Sequence, residues 1–138
     1  MEIQSPVKVA ERKKLDIRSG DNVRVWQKIQ EKGKTRLQAF EGLVIACKHG
    51  KEAGATFTVR RVASGVGVEK IFPLYSPMID SIETLKRSKV RRSKLYHIRD
   101  KASKEIRRQM RNIRALPDNT PEAETIEMVA TETEAEAK

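Results

Sequence analysis

The sequence predicts a mainly β protein: a small closed or partly closed β-barrel, a basic helical extension and an acidic disordered tail. Three observations support this. Five or six short, β-rich stretches with glycine turns follow one another over about 70 residues, as in small barrels. Near Ser93 the hydrophobic period changes from that of a strand to that of a helix. The last residues are acidic, interrupted by proline and poor in large apolar groups.

These changes divide the chain into four parts. Residues 1–20 form a weakly patterned N-terminal arm, which ends at the turn signal Ser19–Gly20–Asp21–Asn22. The barrel is expected over 21–88, the basic helical extension over 89–116 and the acidic disordered tail over 117–138.

The first two strands are predicted on either side of a hairpin turn. In VRVWQKI (23–29), Val23, Val25 and Ile29 lie on one face, and Arg24, Trp26 and Lys28 on the other. EKGKT (31–35) turns the chain, and RLQAFEGLVIACK (36–48) follows, with a bulge or bend expected at Gly42.

Three further strands complete the predicted barrel. TFTVRRV (56–62) follows the loop HGKEAG (49–54), with Phe57 and Val59 facing inward. GVGVEKIFPL (65–74) ends at Pro73. After the turn YSPMID (75–80), SIETLK (81–86) is the last short strand.

A single helical stripe is predicted after the barrel. Its apolar members are spaced by three or four residues: Leu95, Ile98, Ala102, Ile106, Met110 and Ile113. Pro117 is expected to end this helix.

The charge distribution predicts an anionic partner. The chain of 138 residues has a net charge of +10, but residues 117–138 contain seven acids and one base. The remaining 116 residues therefore hold 28 bases against 12 acids, a net charge of +16 at which a compact domain repels itself.

Other features point to a soluble intracellular protein. The single cysteine, Cys47, excludes an internal disulfide and fits a reducing compartment. No apolar run approaches the roughly 20 residues of a membrane span, and the N-terminus lacks the apolar block of a secretory signal.

The most basic stretch is residues 86–114, which contains 13 bases and only two acids, Asp100 and Glu105. A solvated helix face is the plain interpretation, but such faces mix charges of both signs. An excess of this size favours contact with nucleic-acid phosphates, although basicity alone does not separate RNA from DNA or from anionic lipid.

Other motifs are less informative. Trp26, between Arg24 and Lys28, either stacks on an unpaired base or ribose or packs under the arm or the C-terminal helix. Cys47 and His49 are half of a metal site at best, and no orienting group favours Cys–His catalysis. GVGVEK (65–70) has Lys70 in place of the third glycine of a dinucleotide loop, so strand kinks explain it better.

Four motifs together are specific to one family. FEGLVIA (40–46), TFTVRRVASGVGVEKIFPLYSP (56–77), IDSIE (79–83) and KVRRSKLYHIR (89–99) resemble the bacterial large-subunit ribosomal protein L nineteen family, from about Asp21 to about Lys101. The resemblance implies an SH3-like β-barrel with a basic extension on ribosomal RNA, at the interface between the ribosomal subunits. Trp26 stands where that family often has histidine, and the acidic tail is not part of its pattern.

The resemblance also implies what the chain binds. The partners are large-subunit ribosomal RNA, neighbouring large-subunit proteins and, across the interface, small-subunit RNA. A cytoplasmic or plastid ribosome is the expected location, and no catalysis, cofactor, metal, membrane or small-molecule substrate is expected. The residues expected to bind RNA are Arg24, Trp26, Lys28, Lys34, Arg36, Arg60, Arg61, Lys86, Arg87, Lys89, Arg91, Arg92, Lys94, Tyr96, His97, Arg99, Lys101, Arg107 and Arg108.

Two rival functions remain open on the sequence. A free translation or transcription factor would use the same kind of barrel but cycle on and off ribosomes. An enzyme acting on RNA would need a pocket of titratable groups, and the chain offers two histidines and no recognisable motif of paired carboxylates.

Overall fold

A computed structural model describes residues 7–111 and the backbone of 113–114, and its centre is one six-stranded antiparallel sheet. The strand order is β4-β3-β2-β1-β5-β6. The elements are α1 (Val9–Lys14), β1 (Asp21–Glu31), β2 (Lys34–Lys48), β3 (Thr56–Ala63), β4 (Val66–Pro73), β5 (Ile79–Ser88), a 3₁₀ helix (Tyr96–Asp100), α2 (Ser103–Gln109) and β6 (Ile113–Arg114). The predicted acidic tail, 117–138, lies outside the described residues.

Two tight turns set the register of the sheet. Lys32 and Gly33 join β1 to β2, and Ser64 and Gly65 join β3 to β4. All four residues have positive φ, between 46° and 78°, which is typical of the two-residue turns whose twist matches antiparallel strands. The predicted hairpin at EKGKT is confirmed.

The core lies on the concave face of the sheet. Val23 and Val25 are buried as their alternation predicts, and Phe40, Phe57 and Phe72 pack with them. Lys70 Nζ of β4 donates to Gln27 Oε1 of β1 at 3.3 Å, although two strands lie between these two in the order. The sheet must therefore curl.

The curled sheet does not close. No hydrogen-bonded pairing joins β4 to β5 among the described strands, so two edges remain. The prediction of a mainly β fold is confirmed, and the described part of the chain forms an open, curled sheet with few short helices.

The expected bulge lies two residues beyond Gly42. The register of β2 against β3 shifts between Val44 and Ala46. Gly42 is needed instead for close packing, since a Cβ there would lie 2.5 Å from the carbonyl oxygen of Arg60.

The prediction of one continuous helix after the barrel is wrong. The backbone is extended at Lys101 and Ala102, which separates the 3₁₀ helix from the seven-residue α2. Ile113 belongs to β6, where it pairs with Ser88. The apolar spacing still identified a buried face, because Leu95, Ile98, Ile106 and Met110 all pack against one cluster.

The N-terminal arm contains a helix that the sequence pattern did not reveal. Arg12 of α1 is buried, and its Nη2 donates to the carbonyl oxygens of Ile79 at 2.6 Å and Asp80 at 3.0 Å. This arginine fastens the arm to the start of β5.

Candidate nucleic-acid interface

The basic segment 89–100 is held against the outer face of β2. Leu95 and Ile98 are 2% and 1% exposed and pack on Ile45 and Ala46. The Leu95 amide also donates to the Ile45 carbonyl at 2.8 Å. Because the shift near Val44 turns two successive β2 side chains outward, β2 is covered on both faces, which explains its long apolar run.

This anchoring leaves a set of cations facing solvent. All are exposed, and none forms an ion pair with a described residue: Lys89, Arg91, Arg92, Lys94, Lys104, Arg107, Arg108 and Arg111. We call these eight side chains the cationic ridge. Six of them are predicted RNA-binding residues. Lys104 and Arg111 were missed. Lys104 lies three and four residues before Arg107 and Arg108, on the same side of α2, and Arg111 follows the end of this helix.

Several other predicted RNA-binding cations already have acidic partners. Arg24 pairs with Glu41 and Glu83, Lys28 with Asp80, Arg36 with Glu31, Arg60 and Arg99 with Glu69, and Lys101 with Glu105. The pairs whose members are both well exposed are weak, so phosphate can compete for those cations.

Arg87 is not available in this way. It is 7% exposed, and its Nε donates to Asp21 Oδ1 at 2.9 Å while its Nη1 donates to Asp16 Oδ2 at 3.2 Å. The hydrogen bond to Asp21 raises the pKa of Arg87 against the opposing effect of burial. Arg87 therefore joins β5 to the start of β1.

Glu69 forms ion pairs with two of these arginines, Arg60 and Arg99. Arg99 Nε and Nη2 donate to its carboxylate at 2.7 and 2.8 Å, and Arg60 Nη1 donates at 2.9 Å. The hydrogen bond from Arg99, and after it that from Arg60, hold the pKa of Glu69 below its ordinary value although burial opposes this. The guanidinium of Arg99 also lies 4.8 Å from the centre of the Tyr96 ring.

Trp26 is half-buried on the outer face of β1. Its Nε1 donates to Glu83 of β5 at 3.2 Å, so the indole is held by a neighbouring strand. Of the other predicted residues, Lys34 is exposed near the tip of the β1–β2 hairpin, Lys86 is half-buried on β5 and Arg61 lies 5.1 Å from the centre of the Phe40 ring. His97 is half-buried, and its Nδ1 has no hydrogen-bond partner in the part of the chain that the structure describes.

The structure brings some of these residues together around a groove. A cavity of about 540 Å³ lies between residues 89–97 and the end of α2. Lys89, Arg91 and Arg92 of the cationic ridge line it. Arg24, Trp26, Lys28, Lys34 and Arg36 belong to the β1–β2 hairpin instead. The arrangement offers fixed positive charge and hydrogen-bond donors.

Cys47 and His49 do not form a metal or catalytic site. His49 is exposed in a turn, whereas the Cys47 thiol donates to the Ile17 carbonyl at 3.6 Å. Within the described residues, no cluster of three or more potential ligands is present, and none of the described helices has the length and apolar character needed to cross a membrane.

The Cys47 thiol is expected to be slow to alkylate. Burial raises its pKa from 9.0 to about 11. At pH 8 this thiol forms about a hundredfold less thiolate than an ordinary cysteine does, but each thiolate is roughly tenfold more nucleophilic because it is more basic. Iodoacetamide should therefore react with it about tenfold more slowly than with an ordinary cysteine. A time course followed by mass spectrometry tests this, with the denatured chain as control. Equal rates in the two states would contradict it.

Comparison with known proteins agrees with this geometry. Residues 3–111 match the family model described as "Ribosomal protein L19". A relative from Thermosipho melanesiensis, named "Large ribosomal subunit protein bL19", is 56% identical over 86 residues, which cover 62% of this chain and 74% of the relative. A protein of the same name from Thermus thermophilus is 48% identical over 109 residues, covering 79% of this chain and 74% of the relative. The chain therefore belongs to the ribosomal protein L19 family.

Proposed function

We propose that this protein binds ribosomal RNA through the cationic ridge, as a structural constituent of the large ribosomal subunit at the interface with the small subunit. Family membership makes it a ribosomal protein and not an enzyme, as the sequence predicts. The name of the relatives supports the large subunit, and the resemblance of its motifs supports the interface.

The observation that carries the RNA proposal is the combination of unpaired charge and a buried anchor. Eight exposed cations have no described acidic partner, yet Leu95 and Ile98 fix the backbone that carries half of them. An ordered row of cations loses less conformational entropy when it meets phosphate than a flexible one does. The ridge therefore suits RNA segments whose mutual repulsion must be neutralised before they pack.

The partners follow from this proposal. Large-subunit ribosomal RNA lies on the ridge, and neighbouring large-subunit proteins and small-subunit RNA meet other faces. The β1–β2 hairpin is a second candidate contact, since Lys34 and Arg36 are exposed near its tip. Phosphate and ribose contacts dominate such binding and position the protein without reading sequence.

Replacing Arg91, Arg92 and Lys94 with glutamine tests the ridge. Each lost phosphate contact flattens the plot of log affinity against log salt by about 0.7 to 0.9, so the triple variant should be shallower by about two. The measurement is a salt titration of binding to large-subunit RNA fragments. A matched control replaces Lys13, Lys14 and Lys51 with glutamine. It removes three positive charges outside the cationic ridge and should change the slope by less than about one.

Assembly provides a second measurement on the same variants. The native chain should remain with the large subunit in a sucrose gradient after a high-salt wash, whereas a cycling factor would be removed. The Arg91/Arg92/Lys94 variant should show reduced occupancy. A variant that keeps the native salt slope and normal occupancy would refute the role of the ridge.

A further inference from the structure

The groove beside the cationic ridge has an apolar floor and a positive rim. The half-buried Val90 and Met110 supply apolar surface beside the buried Leu95, and Lys89, Arg91 and Arg92 lie around it. These three cations have no ion-pair partner in the described part of the chain. A ligand that matches this groove combines apolar side chains with carboxylates or phosphates at close spacing.

One segment of the same chain has this composition. Residues 122–129, EAETIEMV, place Glu122, Glu124 and Glu127 among the apolar Ile126, Met128 and Val129. The segment lies within residues 117–138, which hold seven acids and one base. Its charge complements the net +16 of the preceding residues, which hold 28 bases against 12 acids.

The last described residues of the chain lie close to this groove. Ile113 and Arg114 of β6 pair with Ser88 and Arg87 of β5, immediately before Lys89. Seven residues separate Arg114 from Glu122, and a flexible linker of that length has a typical span of about 15 Å. A segment tethered so closely has an effective concentration on the order of millimolar at the groove.

We propose that residues 122–129 of the same chain occupy this groove in the RNA-free protein, and that RNA must displace them. The groove overlaps the ridge, so the consequence for RNA rests on the function proposed above. The carboxylates neutralise the rim while the apolar side chains cover the floor. Non-specific RNA is then disfavoured, whereas a site that makes many contacts overcomes the competition.

The size of the effect follows from the competition. A segment present at about 1 mM that binds with a dissociation constant of about 0.1 mM weakens RNA binding about tenfold. Salt weakens the acidic segment as well, so the difference shrinks as ionic strength rises. Affinity for non-specific RNA in the native chain therefore depends less steeply on salt than it does once the segment is neutralised.

Two full-length variants with the same change in charge test the assignment. E122Q/E124Q/E127Q neutralises the proposed segment, and E132Q/E134Q/E136Q neutralises three acids beyond it. The first should bind non-specific RNA about tenfold more tightly than the native chain at low salt and nearly equally at high salt. The second should gain less than about threefold. Equal gains in both variants, or a gain in neither, would overturn the proposal.

Zero-length carbodiimide coupling tests the contact without RNA. It joins carboxylates to amines in contact, so Lys89 should couple to Glu122, Glu124 or Glu127 in the native chain, and added RNA should suppress the product. Mixing isotope-labelled and unlabelled chains separates coupling within a chain from coupling between chains. Absent products, or products only between chains, would refute occupation by the same chain. If neither the native chain nor its variants bound RNA but the coupling within the chain were observed, only the proposed RNA function would be refuted.

Discussion

Replacing Asp21 with alanine is expected to lower the free energy of unfolding by about 3 kcal/mol, because the buried guanidinium of Arg87 loses its buried carboxylate and keeps only the partly exposed Asp16. Asp21 is fully buried. Its Oδ1 accepts from Arg87 Nε at 2.9 Å, and its Oδ2 accepts from Arg87 Nη2 and from the Arg18 amide, both at 3.0 Å. Urea denaturation of the free protein measures the loss.

Two controls separate this effect from loss of any ion pair. Glu31→Ala breaks the exposed pair with Arg36 and should cost no more than about 1 kcal/mol. The double variant Asp21→Leu/Arg87→Met removes both buried charges and should be more stable than Asp21→Ala. If Asp21→Ala lowered the free energy of unfolding no more than Glu31→Ala does, the Asp21–Arg87 pair would not stabilise the contact between β5 and β1.

Replacing Leu95 with alanine is the second large effect. The side chain is 2% exposed between β2 and the basic segment, and truncating buried leucines costs about 2–5 kcal/mol. RNA affinity should also fall, although no charge is removed, because the anchor that orders Arg91, Arg92 and Lys94 is weakened. Urea denaturation and RNA titration at one salt concentration give the two measurements.

Leu37→Ala is the matched control for this variant. The same atoms are removed from a leucine that is 52% exposed on the β1–β2 hairpin, so stability should change by no more than about 0.5 kcal/mol. RNA affinity that stays at the native value in Leu95→Ala, despite the loss of stability, would show that the ridge acts without its anchor.

Local chemistry explains why some elements are readable in the sequence. The two-residue turns at Lys32–Gly33 and Ser64–Gly65 require positive φ, and the glycine in each marks the place. The alternation of Val23 and Val25 identifies the core face because one side of β1 is buried. Both signals depend on neighbours along the chain.

The same reasoning fails where a distant strand decides the outcome. Apolar spacing from Leu95 to Met110 correctly identifies a buried face, but the contacts with Ile45 and Ala46 are met by two short helices with an extended break. A helix in isolation would satisfy the same spacing. Ile113 pairs with Ser88 instead, in a strand of two residues that is too short to show an alternating pattern in the sequence.

The same distinction between sequence and tertiary structure applies to the candidate site. Composition alone determines that residues 86–114 carry far more bases than acids, and this excess points to an anionic partner. Only the tertiary structure decides which cations are free, because their acidic partners come from other strands. Arg87 is buried with Asp21, 66 residues away in sequence, whereas Arg91 and Arg92 are exposed and pair with no acid among the described residues. The sign of a surface charge is a property of each residue, but its availability depends on which groups the fold places within a few ångströms of it.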